Sequence, residues 1–532
     1  MDIIIPVIGG LALFLYGMNV MGEGLQKAAG RKLQSYIEIF TKNKLIGVIV
    51  GCVVTMIIQS SSATTVMVVG FVNAGIMTLS QSVGIIIGAN LGTTITGQII
   101  ALNITELAPI AIAIGVVFWL LSKKKKIKDL SEILIGFGIL FMGMGMMSSG
   151  LKPLSKMDWF KNGVLILNNP YLGVPVGIVL TTIVQSSSAS IGLLEALGKT
   201  GLINMNQAFP LLFGSNIGTT TTTLISSMGA GKNAKRAAFI HFLFNFIGTV
   251  IFMLFLRIPV QRFVVWATPG DVAKQIANSH TLFNFINIII QYPFSNLLVK
   301  ASYFFVKGED ENTGVVSKYL DERILETPTI AVSQAHKEVV RMGHMVYGNL
   351  ENVIKYFNIR NENTANEIRK IESKIDRLEK EIIEYIVKLS SKNISDNEKK
   401  HMFILIDSVN DFERIGDHIE NICELLEQLA DEGTEFSETA IVEFERISTL
   451  AKKAVKYSLE TLENNDMEKA EEVIEIEKEI DKIEKKYRRN HIIRINSGLC
   501  RPSAGVAFID ILGNIERISD HAENISNYKL KG

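Results

Sequence analysis

The chain has 532 residues, too many for one compact domain, and 48% of them are apolar. Lys+Arg and Asp+Glu stand equal at 54 each, and no nucleic-acid partner is expected. Cys52, Cys423 and Cys500 are too few and too widely spaced for a disulfide framework or a cysteine metal site.

The zero net charge conceals a division. Residues 1–307 hold 22 Lys+Arg against 9 Asp+Glu, and the remainder holds 32 against 45. In the first part the charges fall in short clusters between apolar stretches; in the second they recur with helical spacing. An all-α chain is predicted, with a polytopic membrane domain at 1–307, a linker at 308–327 and a soluble helical domain at 328–532.

Apolar stretches that could cross a hydrocarbon core, which takes about 20 helical residues, are Ile3–Met21, Gln81–Leu102, Leu107–Leu121, Leu130–Met147, Ala208–Ser226, Ala237–Leu256 and Leu282–Phe305. The first follows Asp2 rather than basic residues and has no small-residue cleavage site after it, so it is predicted to be retained. An ungapped offset of 126 residues lays Gly17 on Gly143, Gly51 on Gly177 and Gln59-Ser60-Ser61-Ser62 on Gln185-Ser186-Ser187-Ser188. The same offset lays Gly88, Asn90, Gly92, Thr93 and Thr94 on Gly214, Asn216, Gly218, Thr219 and Thr220. The membrane domain is therefore a duplication, with repeats at about 1–126 and 127–305.

Basic clusters orient it. Lys27, Arg31, Lys32, Lys42 and Lys44 follow the first helix, Lys123 to Lys126 and Lys128 close the first repeat, and Lys232, Lys235 and Arg236 follow the second. Placing all three in the cytoplasm requires seven crossings, re-entrant hairpins at Gly47–Asn73 and Gly173–Leu197, and inversion of the second repeat. Inverted repeats with interrupted apolar segments point to a secondary transporter whose site lies at the midplane between the copies.

Four consecutive polar side chains in an apolar segment survive only where they are buried in protein or line a cavity. A hairpin turn over residues 59–65 meets this condition. The helix that follows aims free N–H groups, its positive dipole end and serine hydroxyls at the space beyond, which describes an oxyanion site. The GxNxGTT stretches read as breaks in the next helix, freeing carbonyls that suit a hard cation such as sodium. Packing by small residues is the bland alternative; recurrence of both motifs at one offset favours the site. Glu195 reads either as an ion-coupling acid or, preferred here, as the partner of Lys199 one turn on. His241 with Asn245, and His280 with Asn284, read as interhelical hydrogen-bonding pairs.

The runs QSSSATT, GANLGTTITG, VLTTIVQSSSAS, AFPLLFGSNIGTTTT and HFLFNF resemble the type II sodium/phosphate cotransporters, including bacterial members, over roughly residues 1–305. The resemblance implies sodium-coupled symport of inorganic phosphate by alternating access in the inner (cytoplasmic) membrane. It implies phosphate held by Gln59, Ser60, Ser61, Ser62, Gln185, Ser186, Ser187 and Ser188, with Asn90 and Asn216. Sodium would be served by Ser61, Thr64, Thr65, Thr93, Thr94, Ser187, Ser190, Thr219 and Thr220. No Lys or Arg lies in either motif, so bound sodium becomes part of the anion site. The partners expected are phosphate, sodium and the lipid bilayer, with a second copy of the chain as a candidate. A membrane-anchored sensor that binds phosphate without moving it is the alternative from another class. An enzyme is not expected: the chain has no P-loop, nucleophile elbow or HExxH, and the serine runs have no nearby base.

Residues 328–530 read as six amphipathic helices at 328–358, 362–390, 395–429, 434–463, 466–491 and 501–529, also duplicated, because the run at Asp411–Ile422 recurs at Gly513–Ile525. Two three-helix bundles in the cytoplasm are predicted. Glu413, Asp417 and Asn421 stack on one helix face, as do Glu516, Asp520 and Asn524. Repulsion along such a face would be relieved by a divalent cation or by Arg414 and Arg517. The pattern resembles PhoU-like domains, which implies metal-holding faces and regulation of transport.

Overall fold

The computed structural model describes residues 3–29, 43–102, 104–308, 316–392 and 394–531. Arg31, Lys32 and Lys42 of the first basic cluster lie outside the described residues, as does 309–315 of the expected linker. The chain divides into two compact units, Met1–Asn312 with Asp321–Thr329, and Thr313–Leu320 with Ile330–Gly532. Both are built of helices, with no strand among the described residues. The first is a multi-pass membrane unit by composition: five of its helical segments are long and apolar enough to cross a bilayer.

In the first unit, α1 (Ile4–Ala29) is followed by α2 (Lys44–Ile58), α3 (Ser61–Asn73), α4 (Leu79–Ile100), α5 (Ala108–Leu121) and α6 (Lys125–Leu151). Next come α7 (Asp158–Ile166), α8 (Pro170–Val184), α9 (Ser187–Lys199) and α10 (Met205–Ser226). The unit closes with α11 (Lys232–Ile251), α12 (Arg257–Ala267), α13 (Val272–Gln291) and α14 (Ser295–Phe305). The sequence repeat is a structural repeat to the residue: shifted by 126, α2, α3 and α4 become α8, α9 and α10 with the same first and last positions. Their caps repeat too. Thr78 with Gln81 and Asn204 with Gln207 form matching capping boxes at the starts of α4 and α10.

Repeat-related helices α1 and α6 pack against each other antiparallel, Gly10 beside Gly143 and Gly17 beside Gly136. A Cβ on any of these four glycines would lie 2.3–2.5 Å from a backbone nitrogen of the facing helix, so the approach requires glycine. The hairpin helices are short. At about 1.5 Å per residue, the 15 residues of α2 and the 13 of α3 reach only part of the way through a ~30 Å core. The helical segment Thr105–Leu121, which ends in α5, covers the expected crossing at Leu107–Leu121 but is shorter than a full span.

Two expectations are corrected. The turn is not 59–65 but the two residues Gln59 and Ser60, because Ser60 already caps α3. The GxNxGTT stretches are not breaks, since α4 and α10 run through them unbroken. Their glycines serve close packing instead: a Cβ on Gly88 would lie 2.0 Å from Val48 O, and one on Gly214 would lie 2.0 Å from Val174 O. The threonines return their hydroxyls to the helix itself, Thr93 Oγ1 to Ala89 O at 3.2 Å and Thr219 Oγ1 to Ser215 O at 2.9 Å. No unwinding is needed, and the carbonyls expected for a cation stay in the helical ladder.

Part of the expected linker folds back onto the first unit. Asn73, at the end of α3, donates to Asp321 Oδ2 at 2.7 Å, and Arg323 Nε donates to Ser226 O, the last residue of α10, at 2.8 Å.

The second unit contains α15 (Pro328–Asn358), α16 (Glu362–Ser390), α17 (Asp396–Asp431), α18 (Glu438–Asn464), α19 (Met467–Asn496) and α20 (Pro502–Lys531). Its core is formed by positions at helical spacing, such as Ile368, Ile375, Leu378 and Ile382 on α16. Between α17 and α20 the second duplication becomes paired contacts. His521 Nδ1 lies 2.7 Å from Asp411 Oδ1, His418 Nδ1 lies 2.9 Å from Asn514 Oδ1, and the two rings stack at 5.6 Å.

Candidate functional site

Gln59 and Gln185 occupy the same unusual backbone position. Gln59 has φ 61 and ψ 19, Gln185 has φ 56 and ψ 18, and in each the N–H donates back to a threonine carbonyl, Thr55 O or Thr181 O, at 2.7 Å. Left-handed backbone is costly for a residue with a Cβ, yet both copies keep it without glycine. The next residue is extended and caps the following helix: Ser60 Oγ accepts from Ala63 N at 3.1 Å, and Ser186 Oγ from Ala189 N at 3.2 Å. With Ala63 capped and Thr64 N–H bonded to Ser60 O, the first two amides of α3, Ser61 and Ser62, have no intrahelical acceptor, and Ser187 and Ser188 repeat this in α9.

The two tips meet. All eight residues of the paired QSSS motifs line one cavity of about 280 Å³. The rest of the lining is Ile58 with Leu15, Met18, Asn19, Gly22 and Gln26 of α1. None of these residues is charged. The wall therefore presents hydroxyls, amides and two helix N-termini, whose dipoles favour an anion by a few tenths to ~1 kcal/mol each at exposed sites. The α1 contribution was missed in the sequence, because Asn19 and Gln26 sit in an apolar helix with no motif around them.

Bonds behind the tips hold the turn. Thr96 Oγ1 on α4 donates to Gln59 Oε1 at 2.8 Å, while Gln59 Nε2 donates to Met56 O. Thr55 Oγ1 donates to Thr64 Oγ1 at 3.0 Å, and Thr65 Oγ1 lies 2.9 Å from Thr223 Oγ1 of the other repeat. Thr64 and Ser190 return their hydroxyls to Ser60 O and Ser186 O, both at 3.0 Å. Asn90, Asn216, Thr64, Thr65, Ser190, Thr93, Thr94, Thr219 and Thr220 are outside the cavity lining.

The two asparagines have partners elsewhere. His241 Nε2 lies 3.1 Å from Asn90 Oδ1, and His280 Nε2 lies 3.3 Å from Asn216 Oδ1. The histidines thus tie α11 and α13 to the two motif helices, as expected of interhelical pairs. The preferred pairing of Glu195 with Lys199 is corrected: Glu195 is fully buried and neither carboxylate oxygen has a hydrogen-bond partner, while Lys199 is exposed. The ammonium stays where it can be hydrated, and the carboxyl one turn earlier is enclosed by neighbouring helices.

In the second unit, two acids of α16 approach Glu413 from the neighbouring helix, and Asp417 lies beside it on its own helix. Ligand atoms of Asp376, Glu379 and Glu413 lie within 4.8 Å of one another. Burial, then the neighbouring carboxylates of Glu420, Asp376, Asp417 and Glu413, push the Glu372 carboxyl up to about 7. Burial and adjacent acids also raise Glu413, and Glu516 and Asp520 in the second copy. Arg414 and Arg517 sit on exposed positions of their helices. This oxygen-rich donor set fits a hard divalent cation.

A membrane unit with duplicated hairpins whose tips line one cavity without charged side chains has the architecture of a transporter of small ions. The family model for the Na+/Pi-cotransporter matches residues 13–149 and 143–266, and the PhoU domain model matches 339–426 and 444–528. The chain belongs to the Na+/Pi-cotransporter family, with C-terminal PhoU domains; this is a family of phosphate transporters. It is 33% identical over 260 residues to the uncharacterized protein YqeW of Bacillus subtilis, covering 48% of this chain and 83% of that one. It is 22% identical to the putative inorganic phosphate export protein YjbB of Escherichia coli K12, over 97% of this chain and 95% of the relative. A segment of 102 residues is 37% identical to sodium-dependent phosphate transport protein 2A of Rattus norvegicus, covering 18% of this chain and 16% of that protein. Among solved structures, PhoU from Pseudomonas aeruginosa aligns over 38% of this chain and 96% of its own, at 24% identity and a TM-score of 0.36.

Proposed function

We propose that the chain is a sodium-coupled phosphate symporter, with residues 1–307 carrying the ions and 328–532 acting as a cytoplasmic regulatory domain. The observation that carries this reading is the cavity walled by both QSSS tips without a charged side chain. Phosphate there meets Gln59, Ser60, Ser61, Ser62, Gln185, Ser186, Ser187 and Ser188, but no fixed cation. Removing a dianion from water into such a wall leaves its charge under-compensated. Sodium bound by the nearby Ser and Thr oxygens supplies what the wall lacks. Each ion then raises the affinity for the other by the same factor.

The antiparallel packing of α1 on α6 supports inverted repeats, with one hairpin entering from each side of the membrane. Rocking about that glycine-lined contact exposes the loaded cavity to either face. Coupling of this kind is reversible, so the ion gradients set the direction of net phosphate movement. The carboxylate groups around Glu413 and Glu516 are assigned to divalent cations through which the tail acts on transport.

Titration calorimetry of the purified full chain tests the linkage. Phosphate affinity is expected to rise with sodium concentration, and sodium affinity with phosphate. Equal phosphate affinity in sodium and in choline salts refutes the coupling.

A further inference from the structure

The two repeats differ at one buried spot behind the hairpins. In the first, His241 Nε2 faces Asn90 Oδ1, and its Nδ1 lies 3.3 Å from the hydroxyl of Thr223. In the second, His280 Nε2 faces Asn216 Oδ1, but the position related to Thr223 by the 126-residue offset is Gly97, which has no hydroxyl to offer. The position equivalent to Val69 is Glu195. A Cβ built on Gly97 would lie 3.4 Å from Glu195 Oε1 and 3.9 Å from His280 Nδ1, so the missing side chain leaves a niche bordered by both. Glu195 Oε1, Glu195 Oε2 and His280 Nδ1 are all buried without a hydrogen-bond partner.

The hydrogen-bond roles are determined. Asn216 Nδ2 donates to Leu212 O at 3.0 Å, which leaves Asn216 Oδ1 as an acceptor and requires His280 Nε2 to carry its N–H. His280 Nδ1 is then a bare lone pair. Across the niche at Gly97 lies the Glu195 carboxyl, which makes no hydrogen bond to it in this structure and, if ionised, also offers only acceptors. Around them, α4 and α10 bring no titratable side chain, α13 brings His280, Lys274 and its cap Asp271, the end of α6 is followed by Lys152, and α9 itself ends in Lys199. Asp271 adds negative charge rather than relieving it.

We propose that Glu195 and His280 form an intramembrane proton site: the Glu195 carboxyl holds a proton directed at His280 Nδ1, taking the place that the Thr223 hydroxyl fills in the first repeat. When that proton leaves to water, the carboxylate faces a lone pair, and the imidazole is stable only with its N–H at Nδ1 instead of Nε2. The bond from His280 Nε2 to Asn216 is then lost. Glu195 lies on α9, whose N-terminus forms half of the phosphate cavity, and Asn216 lies on the helix packed beside it, so protonation is linked to the second hairpin alone. The site itself stands apart from the sodium/phosphate reading; only the coupling of its proton to transport rests on that reading.

Two measurements on the full-length protein test it. Infrared difference spectra recorded across neutral pH are expected to show a buried protonated carboxyl band that disappears in Glu195→Gln. Phosphate flux in proteoliposomes is expected to depend on pH more steeply in the wild type than in Glu195→Gln, the remaining slope being phosphate's own ionisation. The double variant Gly97→Thr with Glu195→Val rebuilds the first repeat's arrangement, and an added Cβ at Gly97 meets only ordinary contacts. It guards against misfolding of the single variant and is expected to lose the same pH dependence. An infrared band unchanged by Glu195→Gln overturns the proposal, and so does a carboxylate ionised throughout whose loss alters sodium dependence instead. The infrared result stands even if the wild type moves no phosphate, so failure of the transport reading is distinguishable.

Discussion

Replacing Gly88 or Gly214 by alanine tests whether the motif glycines serve packing or unwinding. The new methyl would start 2.0 Å from a carbonyl oxygen of the hairpin helix, whereas ordinary contact begins at 3.4 Å, so the surfaces must part by about 1.4 Å. That oxygen belongs to a helical ladder and cannot swing aside. The hairpin as a whole must move, at a stability cost of about 1–3 kcal/mol for overpacking. Its tip carries four of the eight motif residues that line the cavity. A misplacement on the order of 1 Å can cost ~100-fold in rate, so Gly88→Ala and Gly214→Ala are each expected to lose phosphate flux by about that factor while remaining folded by circular dichroism and gel filtration. Gly75→Ala is the control: nothing lies within 4 Å of its added Cβ, its φ of +67 costs ~1 kcal/mol of strain, and flux should persist. Wild-type flux in folded Gly88→Ala protein would refute the packing role.

Gln59→Gly and Gln185→Gly keep the left-handed turn, which glycine tolerates better, but remove the amide. In Gln185→Gly thermal stability should hold, whereas Gln59→Gly also loses the bonds to Thr96 and Met56 and should fall by about 1 kcal/mol. In both, phosphate is expected to bind ~10–100-fold more weakly, the range for a lost hydrogen bond to a charged group. Thr65→Val removes the 2.9 Å bond to Thr223 that links the repeats, and a fall in stability of about 1 kcal/mol is expected by chemical denaturation in detergent. Because the Glu372 carboxyl is raised to about 7 in the folded state, the folded form binds its proton more tightly than the unfolded form. Its contribution to stability is full below the ordinary carboxylate range and is lost as pH rises through about 7. Hydrogen exchange of α16 and α17 peptides in the full chain, corrected for intrinsic rate, should therefore quicken from acid to mildly alkaline pH, and Glu372→Gln should flatten the trend. Adding magnesium or manganese at alkaline pH should slow exchange again, and Glu413→Gln should abolish that protection.

Features repeated within the chain were legible because duplication reveals them without any knowledge of the fold. The ungapped offset identified both QSSS tips, and the two cap the same cavity. Periodicity located all six tail helices, since their apolar faces recur without interruption. What sequence could not distinguish was why a glycine is present. A glycine that unwinds a helix and one that admits a neighbour read alike, and only the 2.0 Å approach to Val48 O separates them. Partners distant in sequence were equally hidden. Asp376 and Glu379 face Glu413 from another helix, and Glu195 lacks the Lys199 pairing that helical spacing suggested. The His241 to Asn90 contact spans 151 residues, so neither motif announces the other.

The most direct test of the two-hairpin site is accumulation of radiolabelled phosphate by liposomes containing the full chain under an imposed sodium gradient. Uphill accumulation is expected with sodium, none with potassium or choline in its place, and sharp loss in both Gln59→Ala and Gln185→Ala. Accumulation that continues unchanged without sodium, or that survives both substitutions, would contradict it.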